Sequence, residues 1–482
     1  MSLSHAINAA RSGLQVSGLR ADIVATNVAN ATTPGYVRRS VLLSETIVGA
    51  DTQGVRAVGI DRARDAGLTS ERMSLTSDLS RASVMASAWQ SISSRVGDSA
   101  DGSGLFGMMS DLESTLKAAQ ATPESKATAN AVLDAARALT NEFNSLSKMA
   151  ANQRAEADRE IADGVDIVNK ALRDIEALNA QISKMDRTTS QAAALMDERQ
   201  RVLDTVSEYL PVEAVQRDYG MIDVVTKEGV FLLNGTARQI EFTGSNAFGP
   251  DQTFDGGQLS GLKVGDTDLT PGGSNWSAAS SGLFGALFTL RDNDLPEFSS
   301  QLDTVAEDLV ARLSADGIDP TTTTGEFGLF ADPGTPGDPG LAGRISVNAA
   351  VDPAQGGEVW RLRDGMNAAS EGAPGNNSVL SAMIEALTSG RSISENGIQG
   401  SFTASQLSAH LSSMAGQRRI SNEAVLSSTS AQQTMALEAE QSQTGVDVDA
   451  QMQDLLMIEQ AYAANARVIE VASQMIQRLM EL

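Results

Sequence analysis

Cysteine is absent from the chain, which removes disulfides, thiol nucleophiles and thiolate metal sites together. Histidine is nearly absent. His5 and His410 are the only two, too few for a histidine-based zinc site and a poor basis for a Ser-His-Asp triad. Aromatic residues make up only 4% of the sequence, with three Trp and four Tyr. The cores must therefore be filled by Ala, Leu, Val, Ile and Met, a palette that suits long helices lying close together and disfavours a large cupped ligand pocket. Positive charge is also scarce. Lys and Arg number 36 against 61 Asp and Glu, a net charge of −25, which argues against binding nucleic acid through its phosphates.

Long apolar runs are missing as well. No window approaches the roughly 18 apolar residues of a membrane helix, and no membrane partner is expected. The first thirty residues have no apolar run longer than three and are interrupted by Arg11, Arg20 and Asp22, unlike a cleaved signal peptide. The expectation is a cytosolic chain, or one that leaves the cell by a route needing no cleaved signal.

What is present is length and periodicity. At 482 residues and 50.4 kDa the chain exceeds what one core organises, so two to four domains are expected. Leu3, Ile7, Ala10, Leu14, Ser17, Ala21, Val24 and Val28 alternate four and three apart, which places one narrow seam along a helix. That helix should stop at Asn30–Gly35, where Pro34-Gly35 suits the centre of a type II turn. Near the other end Val448, Gln451, Leu455, Ile458, Tyr462, Asn465, Ile469, Ala472, Ile476 and Leu479 follow the same rhythm. Met452, Leu456, Val468 and Met475 widen this second stripe beyond one seam, so it can meet more than one neighbour. The economical reading pairs the two ends with each other and leaves apolar surface for other subunits.

Between the ends, residues 41–70 read as an extended linker with one or two short strands. Helical periodicity fills 71–210, with a long helix from about Ser125 to Met185 and a stop at Pro211. Short β-rich pieces occupy 211–281, with a turn at Asn234-Gly235. Helix returns over 282–316, and 317–375 is an irregular stretch holding much of the Pro and Gly. From Val379 onward the chain reads as helical again. The fold class is mainly α with inserted β. Residues 1–40 and 445–482 form paired terminal helices, and 71–210, 282–316 and 376–444 a helical shaft. Residues 211–281 and 317–375 make a small protruding β-rich domain.

The chemical candidates dissolve on inspection. Asp447-Val-Asp449 followed by Asp454 lacks the glycine and the terminal glutamate of a calcium loop, since Met452 and Ile458 stand there. An acidic N-cap explains it better. Gly334, Gly337 and Gly340 lack the Lys-Ser/Thr of a phosphate loop. Asn234-Gly-Thr236 fits a glycosylation sequon but sits better as a hairpin turn. No catalytic residue, metal site or cofactor is expected. The candidate functional residues are contacts. A buried Asn465 can set helix register, Tyr462 shares its seam, and Tyr36 and Arg38 follow the turn where they can bridge a neighbour.

Two runs carry a family resemblance. Leu14…Asn27-Val-Ala-Asn30…Thr33-Pro-Gly-Tyr36-Val-Arg38 resembles the N-terminal signature of flagellar rod, hook and hook-associated proteins. Gly445-Val-Asp447-Val-Asp449…Leu455…Glu459-Gln-Ala-Tyr462-Ala-Ala-Asn465-Ala-Arg-Val-Ile469 resembles their C-terminal signature. Pro-Gly-Tyr-x-Arg and the long helical region after it are most similar to the hook-associated branch. The resemblance implies a structural subunit that joins hook to filament outside the cell. It would be exported through the flagellar type III gate with the help of an export chaperone. Its neighbours would be other copies of itself, hook protein and the next junction protein. The implied assembly residues are Leu3, Ile7, Leu14, Val24, Asn27, Val28, Asn30, Tyr36 and Arg38 at one end. At the other they are Leu455, Ile458, Tyr462, Asn465, Ile469, Ile476 and Leu479. A hook or distal-rod subunit is the alternative. A shaft-bearing surface hydrolase finds no nucleophile motif, and an adhesive role for the middle of the chain stays open.

Overall fold

The computed structural model describes residues 3–48, 51–98, 100–245, 248–250, 252–272, 279–335 and 337–480. The chain opens with α1 (Leu3–Ala29) and a ribbon of β1 (Arg39–Val48) and β2 (Asp51–Arg62). Four helices follow: α2 (Ala66–Val96), α3 (Gly104–Ala121), α4 (Lys126–Ile182) and α5 (Ser190–Tyr209). Seven short strands come next, β3 (Val212–Gln216), β4 (Ile222–Thr226), β5 (Phe231–Asn234), β6 (Thr236–Ala237), β7 (Ile240–Glu241), β8 (Lys263–Val264) and β9 (Thr267–Asp268). Then α6 (Gly282–Thr289) runs through a π-helical turn into α7 (Leu295–Leu313). The irregular stretch holds β10 (Phe330–Ala331), β11 (Ser346–Val347) and α8 (Arg361–Asp364). The chain closes with α9 (Ser378–Thr388), the hairpin β12 (Arg391–Glu395) and β13 (Ile398–Phe402), α10 (Ala404–Thr444) and α11 (Val448–Met480).

The spine is α4. Its 57 residues span about 85 Å at 1.5 Å per residue. Ser125 starts it as the N-cap, its side chain accepting from the Thr128 N–H. Two apolar clusters share this helix. The first gathers Leu133, Leu139, Phe143 and Leu146 of α4 with α3, α7, α9, the end of α2 and the start of α10. The second gathers Ile161, Val168, Leu172 and Ile175 with α5, α6 and the strands β3–β8. At the change-over Arg291, fully buried in the π-helical turn, donates to Asp158 of α4 at 2.6 Å and to Asp292 at 2.9 Å. A buried guanidinium is tolerable only with such pairing.

The mainly α architecture with small inserted sheets is as the sequence pattern leads one to expect. Several details differ. Residues 211–281 and 317–375 do not pair into one unit. Their strands form separate sheets, β3-β4-β5-β6 and β7-β8-β9 in one segment and β10-β11 in the other. Each segment closes a different apolar cluster along α4. Short amphipathic strands need a surface to cover, and α4 offers one on both halves. The supposed linker 41–70 is a long antiparallel ribbon pairing Arg39 with Arg62 through Glu45 with Val55, and α2 begins within it at Ala66. Residues 49 and 50 of that stretch lie outside the described residues. The final region is not continuous helix either, since β12 and β13 turn at Asn396-Gly397, both with positive φ. Asn-Gly between Ile393 and Ile398 is a hairpin signal of the type I′ kind.

Near the base of the molecule α2 and α10 run antiparallel. Thr69 and Arg72 of α2 both donate to Glu440 of α10, and Arg418 stacks over the Trp89 ring at 4.8 Å. Thr403 and Gln406 form a reciprocal capping box at the start of α10. No described helix is long and apolar enough to cross a membrane.

Candidate assembly interface

Helices α1 and α11 lie antiparallel against each other, Asn27 beside Gln451 at one end of the seam and Gly13 beside Asn465 fourteen residues along. The approach at Gly13 is close. A β-carbon there would lie 2.6 Å from the Asn465 side-chain nitrogen, so glycine lets the two backbones meet. Ala10, Ser17 and Val24 of α1 are buried, as are Gln451, Ile458 and Ala472 of α11. Leu3, Ile7, Leu14 and Val28 are partly buried on α1, as is Asn30 just past its end, and Leu455, Asn465 and Ile469 are partly buried on α11.

The other face of α1 is covered by the ribbon. The Val55 N–H donates to the Ser12 hydroxyl at 3.2 Å. Gly54, at φ 130°, sits so close that a β-carbon would fall 2.3 Å from that oxygen. Among the described residues helix α11 has no such second cover. Tyr462 is 49% exposed, Ile476 38% and Leu479 68%, and Met452, Leu456, Val468, Val471 and Met475 are also open. So many open apolar side chains on one helix make it a candidate interaction surface.

Where the terminal pair meets the body, one side chain makes four bonds. The Asn27 amide nitrogen donates to the Arg39 carbonyl and to Gln451 Oε1, each at 2.8 Å. Its oxygen accepts from the Tyr36 hydroxyl at 2.9 Å and the Arg39 N–H at 3.1 Å. Both donors and both lone pairs of the amide are thus used. The turn that leads into Tyr36 is type II. The Tyr36 N–H returns to the Thr33 carbonyl at 3.1 Å, and Gly35 takes φ 75°.

Arg38 is exposed and straps the ribbon to the end of α10. Its backbone N–H donates to the Thr444 carbonyl at 2.9 Å, and its guanidinium reaches the Gln443 carbonyl. Arg39 turns inward, 4.8 Å above the Tyr36 ring, and binds Asp197 of α5 at 2.9 Å. Arg62 of β2 takes the other oxygen of Asp197 at 2.6 Å. Burial raises the Tyr36 hydroxyl pKa. Arg39 acts against this and Asp197 adds to it. Asp447 caps α11 through the N–H groups of Asp449 and Ala450.

Arg39, Arg62 and Asp197 escaped the sequence reading. Arg39 and Asp197 are 158 residues apart, and only the Arg38-Arg39 pair after the turn hinted at a contact there. Among the described residues no group of three or more Asp, Glu or His is placed to hold a metal.

Comparison with known proteins gives matches to flagellar proteins. Residues 89–327 match the model of the flagellar hook-associated protein FlgK helical domain, and residues 440–482 that of the flagellar basal body rod FlgEFG protein C-terminal region. The chain is similar to flagellar hook-associated protein 1 of Escherichia coli K12, 24% identical over 63% of this chain and 55% of that one. To the Salmonella typhimurium protein of the same name it is 25% identical over 63% and 55%. The Bacillus subtilis protein of that name is 21% identical over 98% of this chain and 97% of its own length. The matches thus span only about half the length of the two enterobacterial relatives. A solved structure of the flagellar hook junction protein FlgK from Burkholderia pseudomallei aligns with a TM-score of 0.44 at 18% identity, over 54% of this chain and 46% of that one.

Proposed function

We propose, from the premise that this chain belongs to the flagellar hook-associated protein 1 family, that it is a structural subunit joining hook to filament. It polymerises through the α1–α11 pair. The observation that carries this reading is the open apolar face of α11, which includes Tyr462, Ile476 and Leu479 and has no cover within the chain's described residues. Leu3, Ile7, Leu14, Val24, Val28, Leu455, Ile458, Asn465 and Ile469 hold the pair together and present that face. Asn27, Tyr36 and Arg38 fix the pair to the body, and Asn30, bonded to the Thr26 carbonyl, braces the turn between them.

The subunit acts outside the cell. It leaves through the flagellar type III gate, with an export chaperone covering the α11 stripe until release. It then meets other copies of itself, hook protein and the next junction protein. It catalyses no reaction.

Deleting the gene in its flagellated host, followed by electron microscopy and a blot for flagellin in the medium, tests the reading. Bare hooks with shed flagellin are expected. Loss of hooks would move the protein to the hook or distal rod, and intact filaments would overturn the structural role.

A further inference from the structure

A cavity of about 230 Å³ opens where the turn after α1 faces α5. Its walls are Thr26, Asn30, Tyr36, Arg39, Asp197 and Arg201, with the Thr33–Gly35 turn as its rim. Arg39 is only 8% exposed, and its Nε is buried without a hydrogen-bond partner among the described residues. A buried guanidinium N–H left unpaired is costly and is best satisfied by an anion.

The surroundings are short of negative charge. Arg39 and Arg62 share the single carboxylate of Asp197. Arg199, also buried, has only the Asn179 side chain and the Gly220 carbonyl as acceptors among the described residues. Its pKa is lowered to about 10, first by burial and then by Arg62. Arg201 stands half exposed at the cavity, paired with Glu198 one turn away. Counting the five residues Arg39, Arg62, Asp197, Arg199 and Arg201 with Glu198, four cations face two anions, in a chain whose net charge is −25.

We infer that this cavity is a socket for one carboxylate side chain, supplied by a second copy of this chain, bound between Arg39 and Arg201. The inference rests on the assembly reading above and adds a polar partner to its apolar stripe. Two features point to a second copy as the source. The socket lies at the Asn27–Gln451 end of the terminal pair, the pair through which copies are proposed to associate. Residues 66–445 of every copy carry 50 Asp and Glu against 27 Lys and Arg, so a neighbour's body presents carboxylates in excess. Bidentate pairing with arginine is the geometry such a group would use.

The test measures self-association of the full-length chain by sedimentation, for wild type, Arg201→Glu, Arg201→Lys and the stripe variant Leu479→Ser, with circular dichroism to verify folding. Arg201 lies outside the Asp197 pairs, so its variants should keep the fold. The socket predicts about tenfold weaker association for Arg201→Glu and near wild-type association for Arg201→Lys. Association unchanged in Arg201→Glu but lost in Leu479→Ser overturns the socket and leaves the assembly reading standing. Loss only in Arg201→Glu supports the socket and overturns the role of the stripe. A wild type that stays monomeric overturns both. Replacing sodium chloride with sodium acetate at equal ionic strength separates the sources. Thermal stabilisation of the monomer by acetate, with association untouched by Arg201→Glu, would make the site one for free carboxylates and overturn the second copy as occupant.

Discussion

Residues 66–445 carry 27 basic against 50 acidic side chains and enclose two apolar clusters threaded by α4. The first 65 residues carry seven basic against five acidic, and residues 446–482 two against six. The apolar residues of these terminal segments enter neither cluster. The body therefore has a closed interior and a strongly charged surface, while the terminal pair has almost no net charge and an open apolar face. Like-charged bodies repel, and nearly neutral apolar ends associate. That division is what the proposed assembly through the ends requires, with the charged body supplying solubility.

The two regions should respond differently to mutation, and the largest effect belongs to the body. Phe143 is fully buried in the first cluster. Phe143→Ala should lower unfolding free energy by about 3–5 kcal/mol, read by urea denaturation, because packing along α4 cannot collapse around the gap. A loss below 1 kcal/mol would mean that the body is not closed there.

Next comes the junction between the regions. Asn27→Leu leaves Gln451 Oε1, the Tyr36 hydroxyl and both backbone groups of Arg39 without their partner. A cost of about 2 kcal/mol is expected, concentrated in the docking of the ends. Hydrogen exchange should rise in α1 and α11 while amides of α4 stay protected. Equal loosening of both regions would erase the distinction between them.

Such differences also explain what could be read from the sequence. The seams, the type II turn at Pro34-Gly35, the Ser125 start of α4 and the Asp447 cap are local patterns, set by residues within one or two turns of each other. The ribbon's length, its docking on α1 through Gly54, and the Arg39–Asp197–Arg62 cluster depend on partners far along the chain. Periodicity says which face is apolar and not what covers it. Ile458 and Ile476 follow the same rhythm, yet the first is buried against α1 and the second remains open.

Asn465 probes the pairing itself. Leucine shares asparagine's branching at Cγ but is bulkier, and the side chain stands hard against Gly13, so Asn465→Leu should leave the monomer folded at a cost of about 1 kcal/mol. It removes the polar group to which the sequence reading gives a register role, and the expected outcome is altered pairing between copies. Assembly indistinguishable from wild type by sedimentation and electron microscopy would count against a register role.

The smallest effect on stability should accompany the clearest effect on assembly. Leu479 and Met475 are open to solvent, so replacing both with serine removes few contacts within the chain. Monomer stability should stay within about 0.5 kcal/mol of wild type, as for other surface changes. Association buries these side chains only between copies, and losing two large apolar groups from such a contact should weaken it tenfold or more. A double variant that unfolds at wild-type urea concentration yet remains monomeric would show that the face serves other copies. A fall of several kcal/mol in unfolding free energy would instead place these residues inside the chain's own core, and the contrast between a closed body and open ends would fail.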